Sequence, residues 1–217
     1  MQRTRIKFCG LTQVDDIKHA VELGVDSIGV VFVPQSPRFV DPDIAYQLRE
    51  AIPPFVSAVA LFMDAEAHWI QDVLEVFSPD ILQFHGQEDP DFCAFFGDGY
   101  IKAIAMGTNN TDTDQQTPWE DYQQAGALLF DAHAPGEQGG KGEVFDWQQL
   151  QQLRIEQPVV LAGGLNPDNV NNAIKTVQPY AVDVSSGIES RPGIKDIKKM
   201  KQFIRQVQLA DVERMRE

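Results

Sequence analysis

The sequence predicts a single-domain (β/α)8 TIM barrel, an α/β fold, over residues 1–217. Short runs rich in valine, isoleucine and phenylalanine alternate with longer amphipathic stretches, and the alternation repeats eight times. The runs are nearly continuously apolar, which is typical of parallel strands buried on both faces. A chain of 217 residues is also a common size for a barrel that forms one domain.

Each apolar run predicts a strand, and a segment of helical character follows each one. The strands are expected in RIKFCG, SIGVVF, VSAVALF, ILQFHG, YIKAIA, ALLFDA, PVVLAGG and AVDVSSG. The helices are expected at residues 13–23, 41–51, 66–77, 89–96, about 119–125, 146–153, 167–176 and 195–209. Start signals such as DPDIA and NPDNV precede several of these helices. The last residues, about 208–217, are expected to be the end of the eighth helix or a tail.

The fifth unit is the least regular, because the polar segment MGTNNTDTDQQT separates its strand from a poorly defined helix. A doubly wound open sheet is the structural alternative. Such a sheet usually carries a glycine-rich phosphate turn after its first strand, and CGLTQ does not match G-x-G-x-x-G. We therefore expect the closed barrel.

Charge and cysteine content exclude several classes of function. The formal net charge of −14 argues against a nucleic-acid surface, and an anionic substrate would need a local positive site. The sequence has no apolar stretch of about 18 residues and no signal-peptide pattern, so we expect a cytoplasmic protein without a membrane partner. The two cysteines, Cys9 and Cys93, form no C-x-x-C pair, so neither a zinc site nor a disulfide framework is expected.

Polar side chains stand at the ends of four predicted strands, where a barrel carries its active site. The first strand ends in Cys9, the fourth in His85 and the sixth in Asp131, and the eighth carries Asp183. The two-residue period of a strand places Lys7 on the same face as Cys9. The residues between them are apolar, so these polar side chains are expected to point into the barrel at one end.

The loops after the seventh and eighth strands predict an anion site. Gly163 and Gly164 stand just before a helix, and Ser185, Ser186 and Gly187 precede a short segment that could form one helical turn. Glycine lets the backbone approach a ligand closely, and N–H groups at helix starts bind anions. Barrels commonly hold a phosphate group between these two loops.

Arg38, in VPQSPRFV after the second strand, is the cation best suited to a substrate carboxylate. Taken singly, each candidate also has a structural explanation. Cys9 could be a buried core residue, His85 a structural histidine, Asp131 a loop anchor and Asp183 a buried carboxylate. All of these explanations would have to hold together on one rim of one barrel, so a functional site is the better hypothesis.

The motifs that carry these residues resemble one known family, the phosphoribosylanthranilate isomerases of tryptophan biosynthesis. They occur in order through nearly the whole chain: KFCGLT, SPRFV, LQFHG, FDAHAPGEQGGKGEVFDW, LAGGLNPDNV and DVSSGIESRPGIKD. The resemblance implies a ribulose-phosphate-binding barrel and an aldose–ketose type isomerase. Its reaction would be the Amadori rearrangement of N-(5-phosphoribosyl)anthranilate to 1-(2-carboxyphenylamino)-1-deoxyribulose 5-phosphate, without cofactor or metal. It implies a small phosphosugar as ligand, and leaves a monomer and a homodimer both open.

The resemblance also implies a role for each matching residue. Cys9 looks like the general base, Asp131 the general acid and Arg38 the residue that recognises anthranilate. The phosphate would be held by Gly163, Gly164, Ser185, Ser186 and Gly187, while Lys7, His85 and Asp183 would belong to the substrate pocket. Lys7 is also expected to lower the pKa of Cys9.

The loop after the sixth strand, around residues 134–147, departs from the family. The pattern there is usually G-G-[ST]-G, and Lys141 replaces the hydroxyl residue. The glycine content of this loop suggests a mobile segment that closes over the site.

Two other functions are weighed against this one. An aminoaldose isomerase of histidine synthesis would be expected to use a pair of aspartates, whereas the first strand here ends in Cys9. A catalytically silent phosphate-binding barrel would be expected to lack Cys9 or Asp131, and both are present.

Overall fold

The computed structural model describes residues 3–106, 119–132 and 145–215, and its centre is a closed barrel of eight parallel strands. The strands are β1 (Arg5–Cys9), β2 (Ser27–Val31), β3 (Ser57–Phe62), β4 (Ile81–Phe84), β5 (Ile101–Ala105), β6 (Ala127–Asp131), β7 (Val159–Leu161) and β8 (Ala181–Val184). Each strand pairs with the next along the chain, and β8 pairs with β1. This closure confirms the predicted (β/α)8 barrel and excludes the open sheet.

Helices follow the strands around the outside of the barrel. They are α1 (Val14–Glu22), α2 (Pro42–Glu50), α3 (Ala67–Phe77), α4 (Pro90–Phe95), α5 (Gln148–Gln151), α6 (Val170–Val177) and α7 (Ile197–Arg214). Two aspartates act as N-caps: Asp41, in the start signal DPDIA, accepts from the N–H of Asp43, and Asp89 accepts from that of Phe92. Such side chains satisfy N–H groups that the first turn leaves without a helical partner.

The helix expected at about 119–125 is not present, and that prediction was wrong. The segment forms turns, with the Tyr122 N–H donating to the Trp119 carbonyl and the Ala125 N–H to the Tyr122 carbonyl. The Trp119 ring packs edge-on against Phe130 of β6, and Tyr122 Oη donates to the Glu88 carbonyl. Tertiary contacts of two aromatic side chains therefore hold this short segment in turns.

Two faces of the strands pack in different ways. Outward-facing residues such as Phe8, Phe84 and Phe130 form one large core with the helices. The barrel interior is filled around β5–β8 by smaller apolar side chains, including Ala103, Leu129 and Val160. The apolar fill occupies only part of the interior, and polar side chains occupy the carboxyl ends of the strands.

A short excursion leads from β8 to the last helix. Ser186–Ile188 form a 3-10 turn, and β9 (Glu189–Arg191) and β10 (Ile194–Lys195) form an antiparallel hairpin. Thr12 Oγ1 donates to the Gly193 carbonyl, and the Lys195 N–H donates to Asp16. These bonds fasten the hairpin to the loop and helix that follow β1.

The final helix returns to the first strand. Asp211 of α7 accepts from the Thr4 N–H at 2.9 Å and from Thr4 Oγ1 at 2.7 Å. Within the described part of the chain, no helix is both long enough and apolar enough to cross a membrane.

Candidate active site

A cleft opens at the carboxyl ends of the strands. Six of the residues that the sequence singled out line it: Cys9, Arg38, His85, Asp131, Asp183 and Ser185. They come from β1, β6 and β8 and from the loops after β2, β4 and β8. Strand alternation therefore brings chemically active side chains, distant in sequence, to one rim.

Cys9 is the last residue of β1 and is only 5% exposed. Gly29 on β2 leaves room for it, because a Cβ there would lie 2.8 Å from Cys9 Sγ and 3.1 Å from Lys7 Nζ. Burial raises the pKa of the Cys9 thiol, and the charge of Asp183 adds to this, whereas Lys7 and Lys195 oppose it. The interaction with Lys7 has the expected sign, but burial outweighs it, so the resting group is a thiol.

Lys7 lies beneath the cleft, bonded to Asp183. Its Nζ donates to Asp183 Oδ1 at 3.0 Å, between directly paired positions of β1 and β8. Burial lowers the pKa of Lys7, but its interactions with Asp183 and Cys9, chiefly the negative charge of Asp183, outweigh this and the net shift is upward, so Lys7 is a cation. Burial also raises the pKa of Asp183, and Lys7 only partly offsets the effect.

His85 and Asp131 lie next to each other in the lining of the cleft, with Nε2 and Oδ2 3.6 Å apart. Gln83 Nε2 lies 3.0 Å from His85 Nδ1. The Gln83 amide can donate to Nδ1 or accept from it, according to which ring nitrogen of His85 carries the proton. Gln83 thus holds the imidazole ring of His85 beside the Asp131 carboxyl group. Gln83 precedes His85 by two positions, so the two-residue period of a strand places both on one face, but the sequence analysis did not single Gln83 out.

Arg38 is held by a residue that the sequence did not single out. Glu189 Oε1 accepts from Arg38 Nε at 2.8 Å and Oε2 from Arg38 Nη2 at 2.8 Å. Lys195 Nζ donates to Glu189 Oε1 at 2.8 Å and to the Ser185 carbonyl at 3.1 Å. Burial acts to raise the pKa of Glu189, but Arg38 and Lys195 together lower it, so the carboxylate is ionised at neutral pH.

The pKa of Lys195 is itself lowered by burial, which the charge of Glu189 partly offsets. Glu189 and Lys195 lie in the quoted motif DVSSGIESRPGIKD, and charged residues so close to a phosphate-type loop were a signal that could have found them.

The glycines after β7 and β8 bring two loops into backbone contact. A side chain at Gly163, whose φ is +78°, would collide with the Ala132 backbone, and one at Gly187 would collide with the Leu165 carbonyl. Gly164, with φ +63°, has its carbonyl held by the side-chain amides of Asn166 and Asn169. Gly163, Gly164, Ser186 and Gly187 are partly exposed in the loops beside the cleft.

Ser185 contributes a polar atom that the protein leaves open. Its Oγ is buried, and no group of the described residues forms a hydrogen bond with it. A buried hydroxyl beside two glycine-rich loops can donate to an anion in the cleft. The predicted phosphate residues therefore lie together, next to an unused donor.

One wall of the cleft is apolar and was missed by the sequence analysis. Val31 and Leu61 lie at the carboxyl ends of β2 and β3, Val33 and Met63 follow these strands, and all four pack with Cys9. The signal was present, since these two strands end in apolar residues where others end in polar ones. A flat apolar wall beside the thiol suits an aromatic ring.

Lys141 and most of the loop after β6 lie outside the described residues. The predicted closure of that loop and the role of the lysine therefore remain predictions.

Comparison with known proteins gives a consistent result. The sequence model of the family described as N-(5'-phosphoribosyl)anthranilate (PRA) isomerase matches residues 6–206. The N-(5'-phosphoribosyl)anthranilate isomerase of Nitrosococcus oceani is 46% identical over 205 residues, which are 94% of this chain and 98% of the relative.

Two solved structures are similar over nearly their whole length. Phosphoribosyl anthranilate isomerase from Thermus thermophilus has a TM-score of 0.82 at 31% identity, covering 95% of this chain and 99% of its own. A phosphoribosyl anthranilate isomerase in complex with reduced 1-(o-carboxyphenylamino)-1-deoxyribulose 5-phosphate has a TM-score of 0.76 at 34% identity, covering 94% and 98%.

Proposed function

This chain belongs to the N-(5'-phosphoribosyl)anthranilate isomerase family, and we propose that Cys9 and Asp131 are the groups that move protons in its reaction. The enzyme isomerises N-(5-phosphoribosyl)anthranilate in tryptophan biosynthesis. One observation carries the residue assignment: the thiol of Cys9 on β1 and the carboxyl group of Asp131 on β6 line the same cleft.

Asp131 acts first, as a general acid. Its proton goes to the ring oxygen of the ribose as the C1′–O bond breaks, and the nitrogen lone pair forms the C1′=N bond of a protonated Schiff base. The imidazole of His85, with Nε2 3.6 Å from Asp131 Oδ2, lies beside this carboxyl group. General acid catalysis of this kind typically contributes about 10²–10⁴-fold to the rate.

Cys9 then acts as the general base. Its thiolate removes the proton from C2′, and the electrons of that C–H bond neutralise the Schiff base to give an enolamine. Tautomerisation places the ketone at C2′. The cations Lys7 and Lys195 favour the thiolate against burial, and the positive charge of the Schiff base acts in the same direction. Both steps are proton transfers, so the scheme requires neither a cofactor nor a metal.

The substrate, a small phosphosugar, spans the cleft. Its aromatic ring lies on the apolar wall of Val31, Val33, Leu61 and Met63, with its carboxylate at Arg38. Its phosphate lies at Gly163, Gly164, Ser185, Ser186 and Gly187, where the Ser185 hydroxyl is available. Asp183 and Lys7 support the ribose and the thiol from below.

The test is turnover of N-(5-phosphoribosyl)anthranilate by the purified protein, followed by the loss of anthranilate fluorescence. Asp131→Asn keeps the shape of the side chain but has no proton to donate, so we expect kcat to fall by about 10²–10⁴-fold with a modest change in KM. A variant that retains the wild-type kcat would remove Asp131 from the acid role.

Three further expectations complete the proposal. The protein acts in the cytoplasm, binds neither nucleic acid nor membrane, and is a single-domain monomer or homodimer. The charge of −14 supports the absence of nucleic-acid binding. Sedimentation of the purified chain distinguishes monomer from homodimer.

A further inference from the structure

Three buried charged side chains form a cluster at the edge of the cleft, which we call the Arg38–Glu189–Lys195 cluster. Glu189 lies between two cations and bonds both of them, with all three donor–acceptor distances at 2.8 Å. The side chains of Arg38, Glu189 and Lys195 are 10%, 4% and 0% exposed. Two positive charges and one negative charge leave this cluster with a net charge of +1.

The contacts of Arg38 divide its guanidinium into two edges. A guanidinium has five N–H donors. Glu189 occupies the edge formed by Nε and Nη2, and in the described part of the chain Nη1 forms no hydrogen bond with the protein. A second carboxylate can therefore bind at the edge formed by Nη1 and Nη2 while Glu189 stays in place.

The same contacts fix where Arg38 stands. Its Cδ lies directly over Gly10, since a side chain at that position would collide with it. Arginine loses rotamer freedom when it binds an anion, and a side chain already held loses less. Lys195 also bonds the Glu189 carboxylate and offsets part of its negative charge. Arg38 therefore keeps positive charge with which to attract an anionic ligand.

We propose that Glu189 is a positioning residue that makes this protein selective for a carboxylated aromatic substrate, by holding Arg38 with one guanidinium edge turned to the ligand. The β9–β10 hairpin is then the specificity element of the site. The inference rests on the proposed function, in which Arg38 binds the carboxylate of the anthranilate ring.

Two matched ligands test it. One is reduced 1-(o-carboxyphenylamino)-1-deoxyribulose 5-phosphate, and the other is the same molecule without the ring carboxylate. Calorimetry on the folded protein gives both dissociation constants, and their ratio is the carboxylate preference. We expect Glu189→Gln to lower this preference by about tenfold, the size of one charge-assisted interaction, with unchanged binding of the ligand that lacks the carboxylate.

Two variants serve as controls. Glu88→Gln removes the charge of an equally buried glutamate that bonds Lys102 away from the cleft, and we expect the preference to stay within about twofold of wild type. Glu189→Asp keeps the buried charge but shortens its reach, so it gives the same comparison if Glu189→Gln does not fold. In an Arg38→Met background, Glu189→Gln should change the preference no further, because it acts through Arg38.

The outcomes separate this inference from the function it rests on. Equal weakening of both ligands would mean that Glu189 only supports the structure, and a stronger preference would mean that it competes with the ligand for Arg38. Either result overturns the inference. A wild-type protein that does not prefer the carboxylated ligand would instead overturn the assignment of Arg38 and, with it, this inference.

Discussion

Two of the buried lysine–carboxylate pairs, Lys7–Asp183 and Lys102–Glu88, each lie beside a cysteine, and of these two only Lys7–Asp183 belongs to the cleft. Lys7 bonds Asp183 at 3.0 Å next to Cys9, and Lys102 bonds Glu88 at 2.8 Å close to Cys93. In composition and distance the two groups are nearly the same. Their difference is the face of the strand from which the lysine projects.

Lys102 projects outward from β5 into the layer between strands and helices. Its Nζ also donates to the Gly86 carbonyl at 2.6 Å and lies 5.3 Å from the centre of the Tyr122 ring. Glu88 accepts from the N–H groups of Asp64 and Gly86 as well. Every strong interaction of this pair is used to join loops after β3 and β4, so its function is structural.

Lys7 projects inward, where Gly29 leaves space and the cleft opens above Cys9. A charged pair beside a cysteine is therefore not by itself a sign of catalysis. The same chemistry supports the fold where it is enclosed, and can serve a reaction where a ligand can reach it.

Substitution of each cysteine by serine gives the largest expected difference between the two sites, measured as the loss of kcat. Cys9→Ser replaces the base with a hydroxyl of much higher pKa, so we expect kcat to fall by about 10²–10⁴-fold. Cys93→Ser should leave kcat within about twofold of wild type, since this residue contacts only the packed layer. Steady-state kinetics on both variants measure the difference, and equal losses would show that the two sites are not distinct.

Removal of each lysine should lower the stability of the protein by a different amount. Lys102→Met leaves Glu88 buried without its charge partner, and we expect the free energy of unfolding to fall by about 3–5 kcal/mol. Lys7→Met should destabilise the protein less, because Asp183 faces the cleft and can gain water. Urea denaturation of both variants provides the comparison. A greater loss of stability in Lys7→Met would contradict it.

The pH dependence of kcat/KM should show whether Lys7, the lysine of the inward pair, affects the ionisation of Cys9. Because burial raises the pKa of Cys9 and the base must be deprotonated, kcat/KM should rise with pH and level off only above the ordinary cysteine value of about 8.5. Lys7→Met removes an opposing cation and should move this rise to still higher pH. A profile that Lys7→Met leaves in place would separate Lys7 from the ionisation of Cys9.

Thiol alkylation should show the smallest contrast. Burial raises the pKa of Cys93 to about 12 and the residue is fully enclosed, so it should react with iodoacetamide only on unfolding. Cys9 borders the cleft and should react first, more slowly when phosphosugar is bound. Peptide mass spectrometry gives both rates, and faster labelling of Cys93 would reverse the assignment.

Much of this site follows from strand periodicity. Lys7 with Cys9, and Gln83 with His85, are separated by two positions, and a period of two places them on one face without knowledge of any distant contact. The barrel itself follows from eight repeats of one pattern. These are local properties that the sequence displays directly.

Contacts between distant segments were not predictable in this way. Arg38 and Glu189 are 151 positions apart, so their ion pair depends on how β2 and β8 are brought to the same rim. The turns at 119–125 are fixed by Trp119 and Tyr122 against other elements, and these contacts override a weak local pattern. Gly187 was expected to bind a ligand. A glycine is also required there because a side chain would collide with the Leu165 carbonyl.

The close approach of Gly187 to Leu165 has a consequence for the thermodynamics of binding. Together with the Lys195–Ser185 and Thr12–Gly193 bonds, it joins the loops after β7, β8 and β1 into one unit. Their conformational entropy is lost during folding rather than on association, so little remains to be lost when a ligand binds. Amide hydrogen exchange in these loops should then be slow before ligand is added and change little afterwards.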